Sequence, residues 1–369
     1  MIYFCLASAI AWTCILSLPF RPWGTKELFS PNVDRDNSAL DELTILIPAR
    51  NEEKHIQTTL LSLRRQDNSG KIIVINDESF DSTAKKIVDL DLRNLELVNG
   101  TPPPVGWTGK VWALHQGFQK VTTPFVLLMD ADIILDPKTL TSLLSELKQK
   151  KYHLMSIMAV LKTDTLWEKL LIPAFIYFFK MLYPFELSNR SDSNVAAAAG
   201  GLILIRTECL REIGGFEAIK DAIIDDCTLA KLVKRNERRT WIGLSHAVKT
   251  TRRYESIKTI WNMVARTAYT QLHYSIILLL ISSFTLLIIF IAPLTGLVSG
   301  DPLTTIISIV SVGMMSLSFR PIIGFYRLSV FWCLTLPLST TLFLMMTWTS
   351  AFRFWTGQRS HWKDRVYSK

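Results

Sequence analysis

From residue 43 to 129 the chain alternates short apolar runs with segments of helical spacing. Runs at 43–48, 71–76, 95–98 and 125–129 have strand length, and 53–65, 81–88 and 110–119 carry the periodicity of amphipathic helices. Strands divided by helices call for crossover connections, hence a largely parallel sheet whose ligands sit at the strand C-termini. A further strand is predicted at 202–206, behind the small-residue stretch Asn194-Val195-Ala196-Ala197-Ala198-Ala199-Gly200-Gly201. Residues that small let a ligand approach the backbone closely.

Outside this region the pattern belongs to a membrane. Residues 2–19 hold no charge and are followed by Arg21, which predicts an uncleaved anchor over 1–20 with its N-terminus outside, then a polar linker over 21–42. Segments 275–298, 302–319 and 329–352 are each long enough, or nearly so, to cross about 30 Å of hydrocarbon. One anchor plus three spans would leave the basic tail 353–369 outside, against the preference for positive charge inside. Either the tail breaks that rule or one segment, the short middle one first, fails to cross. Segment 166–185 is aromatic, with Glu168, Lys169 and Lys180 on one stripe, and is expected to lie in the membrane interface.

With 49% hydrophobic residues in 369, the chain has room for a catalytic domain over 43–274 plus membrane segments. A net charge of +9 suits anionic head groups and phosphates, and nucleic acid is not expected as a partner. Five scattered cysteines without metal-type spacing fit a reduced compartment.

Candidate chemistry gathers on one predicted rim. The strands at 43–48, 71–76 and 125–129 run into Arg50-Asn51-Glu52, Asn76-Asp77-Glu78 and Asp130-Ala131-Asp132. Of three Asp-x-Asp patterns, only Asp130/Asp132 ends an apolar strand; Asp34/Asp36 and Asp89/Asp91 lie in polar surroundings. Gly109-Lys110 opens a helix and suits a diphosphate, although Val111 in place of Ser/Thr rules out a Walker loop. Asp225-Asp226 is a second acidic pair, at the start of a further helix.

In this order and spacing, Ile47-Pro48-Ala49-Arg50-Asn51-Glu52-Glu53, Val74-Ile75-Asn76-Asp77 and Asp130-Ala131-Asp132 resemble the nucleotide-sugar half of family-two glycosyltransferases of GT-A fold. The resemblance covers roughly 43–270. It implies that Ala49 and Glu52 line a uridine pocket, that Asp77 bonds the base, and that Asp130 and Asp132 hold a metal, Mg²⁺ or Mn²⁺, on the diphosphate. It also implies Asp226, beside Asp225, as general base, Lys110 and Arg266 on the donor, and Gly200 and Gly201 on the acceptor side. Where relatives carry Gln-x-x-Arg-Trp, only Arg266 survives, with Met263 and Thr267 replacing the Gln and Trp, which argues against a processive polysaccharide synthase. Gly106-Trp107-Thr108-Gly109-Lys110 and Ala265-Arg266-Thr267-Ala268-Tyr269-Thr270-Gln271-Leu272 are similar to the hopene-associated glycosyltransferases, relatives of ceramide glucosyltransferases. The implied reaction is inverting sugar transfer from a nucleotide-sugar to a lipid hydroxyl, possibly hopanoid-related, at the cytoplasmic face of a bacterial inner membrane. Rival readings are transfer to a polyprenyl-linked sugar and a catalytically silent scaffold. A nucleotidylyltransferase would want a Gly-rich loop where Pro48–Glu53 stands.

Overall fold

The computed structural model describes residues 1–32, 40–66, 70–357, 360–362 and 365–367. Asp34/Asp36 and most of the basic tail's charges lie outside the described residues. An apolar helix α1 (Ile2–Ser17) precedes β1 (Leu43–Ala49), α2 (Ile56–Arg64), β2 (Lys71–Asn76), α3 (Thr83–Val88), β3 (Leu95–Asn99), α4 (Gly109–Phe118) and β4 (Phe125–Met129). There follow β5 (Ile133–Leu135), α5 (Thr139–Lys150), β6 (Leu154–Val160), α6 (Leu166–Leu182), α7 (Phe185–Asn189), β7 (Leu202–Arg206) and α8 (Thr207–Glu212). Then come α9 (Asp225–Arg235), β8 (Thr240–Thr250), α10 (Ile257–Ala265) and α11 (Ala268–Gln271). The C-terminal part holds α12 (Ile276–Leu286), α13 (Ala292–Gly296), α14 (Pro302–Phe325), α15 (Leu336–Trp355) and a small hairpin, β9 (Ser360–Trp362) and β10 (Arg365–Tyr367).

Eight strands form one sheet in the order β3-β2-β1-β4-β7-β6-β8-β5. It is mostly parallel, as the alternation predicts; β7 and β5 run against their neighbours. Every residue of β1 is buried, because helices cover both faces of the sheet. Strand alternation divides the core accordingly. Ile45, Ile47, Val74 and Leu127 pack on one face with α2 and α5, while Leu46, Ile73, Ile75 and Val126 pack on the other with α4 and α9.

Strands at 71–76, 125–129 and 202–206 match their predicted bounds. Strand β6 and strand β8 lack a usable sequence signal: the first is a run without alternation, and the second mixes polar and apolar residues over 11 positions. α2 starts at Ile56, three residues later than expected, because Asn51 takes φ +50° and residues 52–55 turn before the helix begins.

A third core joins the sheet domain to the apolar helices. It brings Trp12 of α1, Tyr177 of α6, Ile242 of β8, Met315 and Phe319 of α14 and Phe343 of α15 together. The polar stripe of α6 therefore faces inwards. Glu168 and Lys180 are 0% and 1% exposed: Lys180 Nζ pairs with Glu27 at 2.7 Å, and Glu168 closes a capping box with Thr165 and accepts from the Tyr254 N–H at 2.7 Å.

Three helical stretches, Ile276–Gly296, Pro302–Phe325 and Val330–Trp355, are long and apolar enough to cross a membrane. α1, with 16 residues, reaches about 24 Å. A π-turn at Leu287–Ile291 interrupts the first of the three, and Pro293 has no N–H to offer the Ile289 carbonyl. α1 supplies the missing donors: Ser8 Oγ and Trp12 Nε1 reach that carbonyl at 2.7 and 3.1 Å.

Candidate active site

The C-terminal ends of β1, β2, β4 and β8 lie on one rim, since these four strands point the same way. Past β1, the left-handed turn at Asn51 folds Glu52 back onto the rim, where its N–H is held by Thr83 Oγ1 at 2.8 Å. Past β4 stand Asp130 and Asp132. Past β8, Arg252 bridges the two strand ends: Nη2 donates to Glu52 Oε1 at 2.7 Å and Nε to Asp132 Oδ2 at 2.6 Å. Burial works against the charged guanidinium, yet Asp132 and Glu52 outweigh it and raise its pKa.

Beside this clamp Lys110, in the first turn of α4, gathers the other acids. Its Nζ lies 2.9 Å from Asp130 Oδ1 and 3.4 Å from Asp225 Oδ2. Gly200 makes the crowding feasible: a Cβ there would stand 3.1 Å from Asp226 Oδ2 and 3.2 Å from Lys110 Nζ. Asp226 Oδ1 accepts the Cys227 N–H at 2.7 Å. Burial pushes the Asp226 carboxyl up to about 6, with Asp225 adding to the push and Lys110 opposing it. The Asp130 carboxyl is also raised by burial, against the pull of Lys110.

Two cavities meet at this cluster. A polar one of about 380 Å³ runs past Pro48, Arg50, Glu52, Arg252 and Asn262. A larger one of about 460 Å³ begins at Asp226 and Gly200 and continues among the apolar side chains Phe175 and Phe179 of α6, Leu286 of α12 and Phe343 of α15. Lys110, Asp130, Asp132, Asp225, Tyr254 and Arg266 line both.

Most expected site residues are thus brought together: Glu52, Lys110, Asp130, Asp132, Asp225, Asp226, Gly200, Gly201 and Arg266. Two are placed differently. The Ala49 side chain is buried in the sheet core, because alternation along β1 turns Pro48 and Arg50, not Ala49, to the cavity. Asp77 is wholly buried, with the Arg50 guanidinium 3.9 Å above its carboxylate, so Arg50 is the group presented there. Arg252 is a site residue that the motifs do not include. Its signal is its position two residues past a strand on the ligand rim, which is readable only once β8 is recognised.

Residues 44–214 match the model of a family described as glycosyl transferase family 2. Over those residues the chain carries a family 2 glycosyltransferase domain. Its sheet and helix order is that of the GT-A fold, shared with a mannosyltransferase from Pyrobaculum calidifontis solved with GDP-mannose and Mn²⁺. That likeness has a TM-score of 0.57 at 17% identity, over 92% of this chain and 98% of the other. Two curated relatives are both named 4,4'-diaponeurosporenoate glycosyltransferase. The one from Staphylococcus haemolyticus is 29% identical over 140 residues, and the one from Staphylococcus aureus is 38% identical over 91. The aligned parts span 37% and 25% of this chain, and only 36% and 24% of those proteins' own length.

A divalent cation on the diphosphate would need hard oxygen ligands from this rim. Among the described residues no three His, Cys, Asp or Glu side chains form a metal cluster. Asp130 and Asp132 both line the two cavities, the first paired with Lys110 and the second with Arg252. Two carboxylates fit a hard cation such as Mg²⁺, which takes few protein ligands and completes its shell with water and phosphate oxygens.

Proposed function

We propose that this protein moves a sugar, with inversion, from a nucleotide-sugar, UDP-linked in the first instance, to the hydroxyl of a lipid. One observation carries the reading: a polar cavity and an apolar, membrane-side cavity share a wall of ionisable groups, so that a charged donor and a greasy acceptor meet there. The names of the curated relatives, which concern 4,4'-diaponeurosporenoate, support an apolar acceptor. A hopanoid alcohol is the acceptor suggested by the motif strings around Lys110 and Arg266. The catalytic domain is assigned to the cytoplasmic face of a bacterial inner membrane, where nucleotide-sugars are made.

In this mechanism Arg50, Glu52 and Pro48 receive the nucleoside, and Lys110 and Arg266 donate to the diphosphate. Asp130 and Asp132 would hold a divalent cation, which when bound neutralises charge on the departing diphosphate. Asp226, at the mouth of the apolar cavity, accepts the acceptor hydroxyl's proton as that oxygen bonds to the anomeric carbon and the bond to the diphosphate breaks. Its raised pKa suits a base that works near neutral pH.

The test is purified protein in detergent with Mn²⁺ or Mg²⁺, a panel of UDP- and GDP-sugars and extracted bacterial lipids, with transfer read by mass. Transfer is expected from one donor, lost in Asp226→Asn while metal-dependent nucleotide binding persists. No transfer from any donor, together with no metal-dependent nucleotide binding, overturns the proposal.

A further inference from the structure

Where each apolar helix begins and ends can be read from what its ends touch. The catalytic domain marks one side. On the opposite side Thr295 Oγ1 meets the Met1 thioether at 3.4 Å, and Gly296 packs so tightly that a Cβ there would collide with Ser308 and Cys5. α1 runs from that far side towards Phe29, whose N–H bonds the Leu244 carbonyl of β8 at 2.9 Å. The stretch Ile276–Gly296 starts beside α11 and ends on the far side. α14 returns, and its last residue, Phe325, stacks on His246 of β8 at 4.3 Å. These three cross.

The last stretch, Val330–Trp355, behaves otherwise. Near its start Ser339 Oγ donates to the Leu170 carbonyl of α6 at 2.9 Å, close to the α6 end that Glu168 ties to Tyr254. Near its finish the Tyr269 N–H reaches Ser350 Oγ at 3.1 Å, Arg353 donates to Asn262 of α10 at 2.7 Å, and Phe354 stacks on Tyr274 at 4.3 Å. At that same end, Trp261 of α10 donates to Thr349 at 3.2 Å. Asn262 lines the polar cavity, so α10 belongs to the catalytic face. A helix of this length that crossed would carry one end about 30 Å from that face. This one touches it at both ends. Within α15 the exposed apolar side chains Leu338, Met345, Trp348, Phe352 and Trp355 form a single stripe, opposite the face that bears Ser339, Ser350 and Arg353.

We propose that Val330–Trp355 is re-entrant: it enters and leaves the bilayer on the catalytic side and forms the membrane-side wall of the acceptor cavity, with Phe343, Leu344 and Thr347 selecting the acceptor. The selecting role rests on the function proposed above; the topology does not. Three crossings put the tail on the catalytic side, together with Arg320, Arg327 and Arg353, while residues 297–301 on the far side hold no Lys or Arg. The charge conflict in the sequence disappears, and the segment that fails to cross is the last, not the middle one.

The experiment uses the full chain in cells, with Cys14→Ser to remove the one exposed thiol among the five cysteines. A single cysteine is added as Ser299→Cys, as Ser329→Cys or directly after Lys369, and labelled with a membrane-impermeant maleimide before and after permeabilisation. Ser299→Cys is expected on the far face and the other two sites on the catalytic face. Any other pattern overturns re-entrancy, whatever the protein catalyses. Thr347→Trp then tests the wall: the acceptor KM is expected to rise at least tenfold with nucleotide Kd unchanged, and an unchanged acceptor KM overturns that half. Native protein that transfers no sugar while the three sites label as expected would sink the proposed function and leave the topology standing.

Discussion

Asp226 sits where burial and Asp225 disfavour its charge, and its carboxyl is raised to about 6 against an ordinary value of about 4. As the base it must be unprotonated, so kcat/KM for transfer should be level above about pH 6 and fall tenfold per pH unit below it. A profile flat to pH 5 would exclude Asp226 as the base. The same shift fixes the sign of a stability effect. A carboxyl raised on folding costs stability as pH climbs through about 4 to 6 and remains a cost above. Asp226→Asn is therefore expected to melt no lower than the native protein at pH 7.5, which separates lost chemistry from lost folding. Its place in the sequence was legible because an acidic pair opens a helix. Arg252 was not legible, since two adjacent arginines after a polar stretch look like surface until the strand before them is known.

At the scale of elements, α6 shows how a pattern misleads. Glu168, Lys169 and Lys180 share a stripe, and periodicity cannot tell a stripe that faces head groups from one that faces protein partners. The structure turns two of the three inwards, onto Glu27 from the linker and onto the backbone of the segment that carries Arg252 and Tyr254. Burial lowers the Lys180 pKa, opposed by Glu27. Removing one partner of a buried pair strands the other, at a cost of about 3–5 kcal/mol. Lys180→Ala should therefore lower the melting temperature measurably in detergent, and Lys180→Ala with Glu27→Ala should recover part of the loss. A double variant no better than the single one would show that the pair contributes little. The linker itself, predicted as a polar spacer, supplies Glu27 and an isolated bridge from Leu28 to Leu244.

For the whole molecule, alternation of short apolar runs and helices was enough to place the parallel half of the sheet and the acidic rim. The half built from β6, β7 and β8 was only partly readable, because β6 and β8 are defined by their partners rather than by their own pattern. The core shared by α1, α6, β8, α14 and α15 has no local signature, since its members are scattered from Trp12 to Met346. That shared core bears on biosynthesis. The ribosome releases the whole donor-binding half before α14 and α15 exist, leaving Tyr177, Ile242 and Leu244 without the side chains that cover them. Final packing of the catalytic domain then awaits insertion of the last hundred residues, and the nascent half needs membrane or chaperone cover in the interval. A chain ended after residue 274 should accordingly be degraded or aggregate, and supplying residues 275–369 as a separate membrane fragment should rescue it in part; a soluble, donor-binding 1–274 would show that the two halves mature independently.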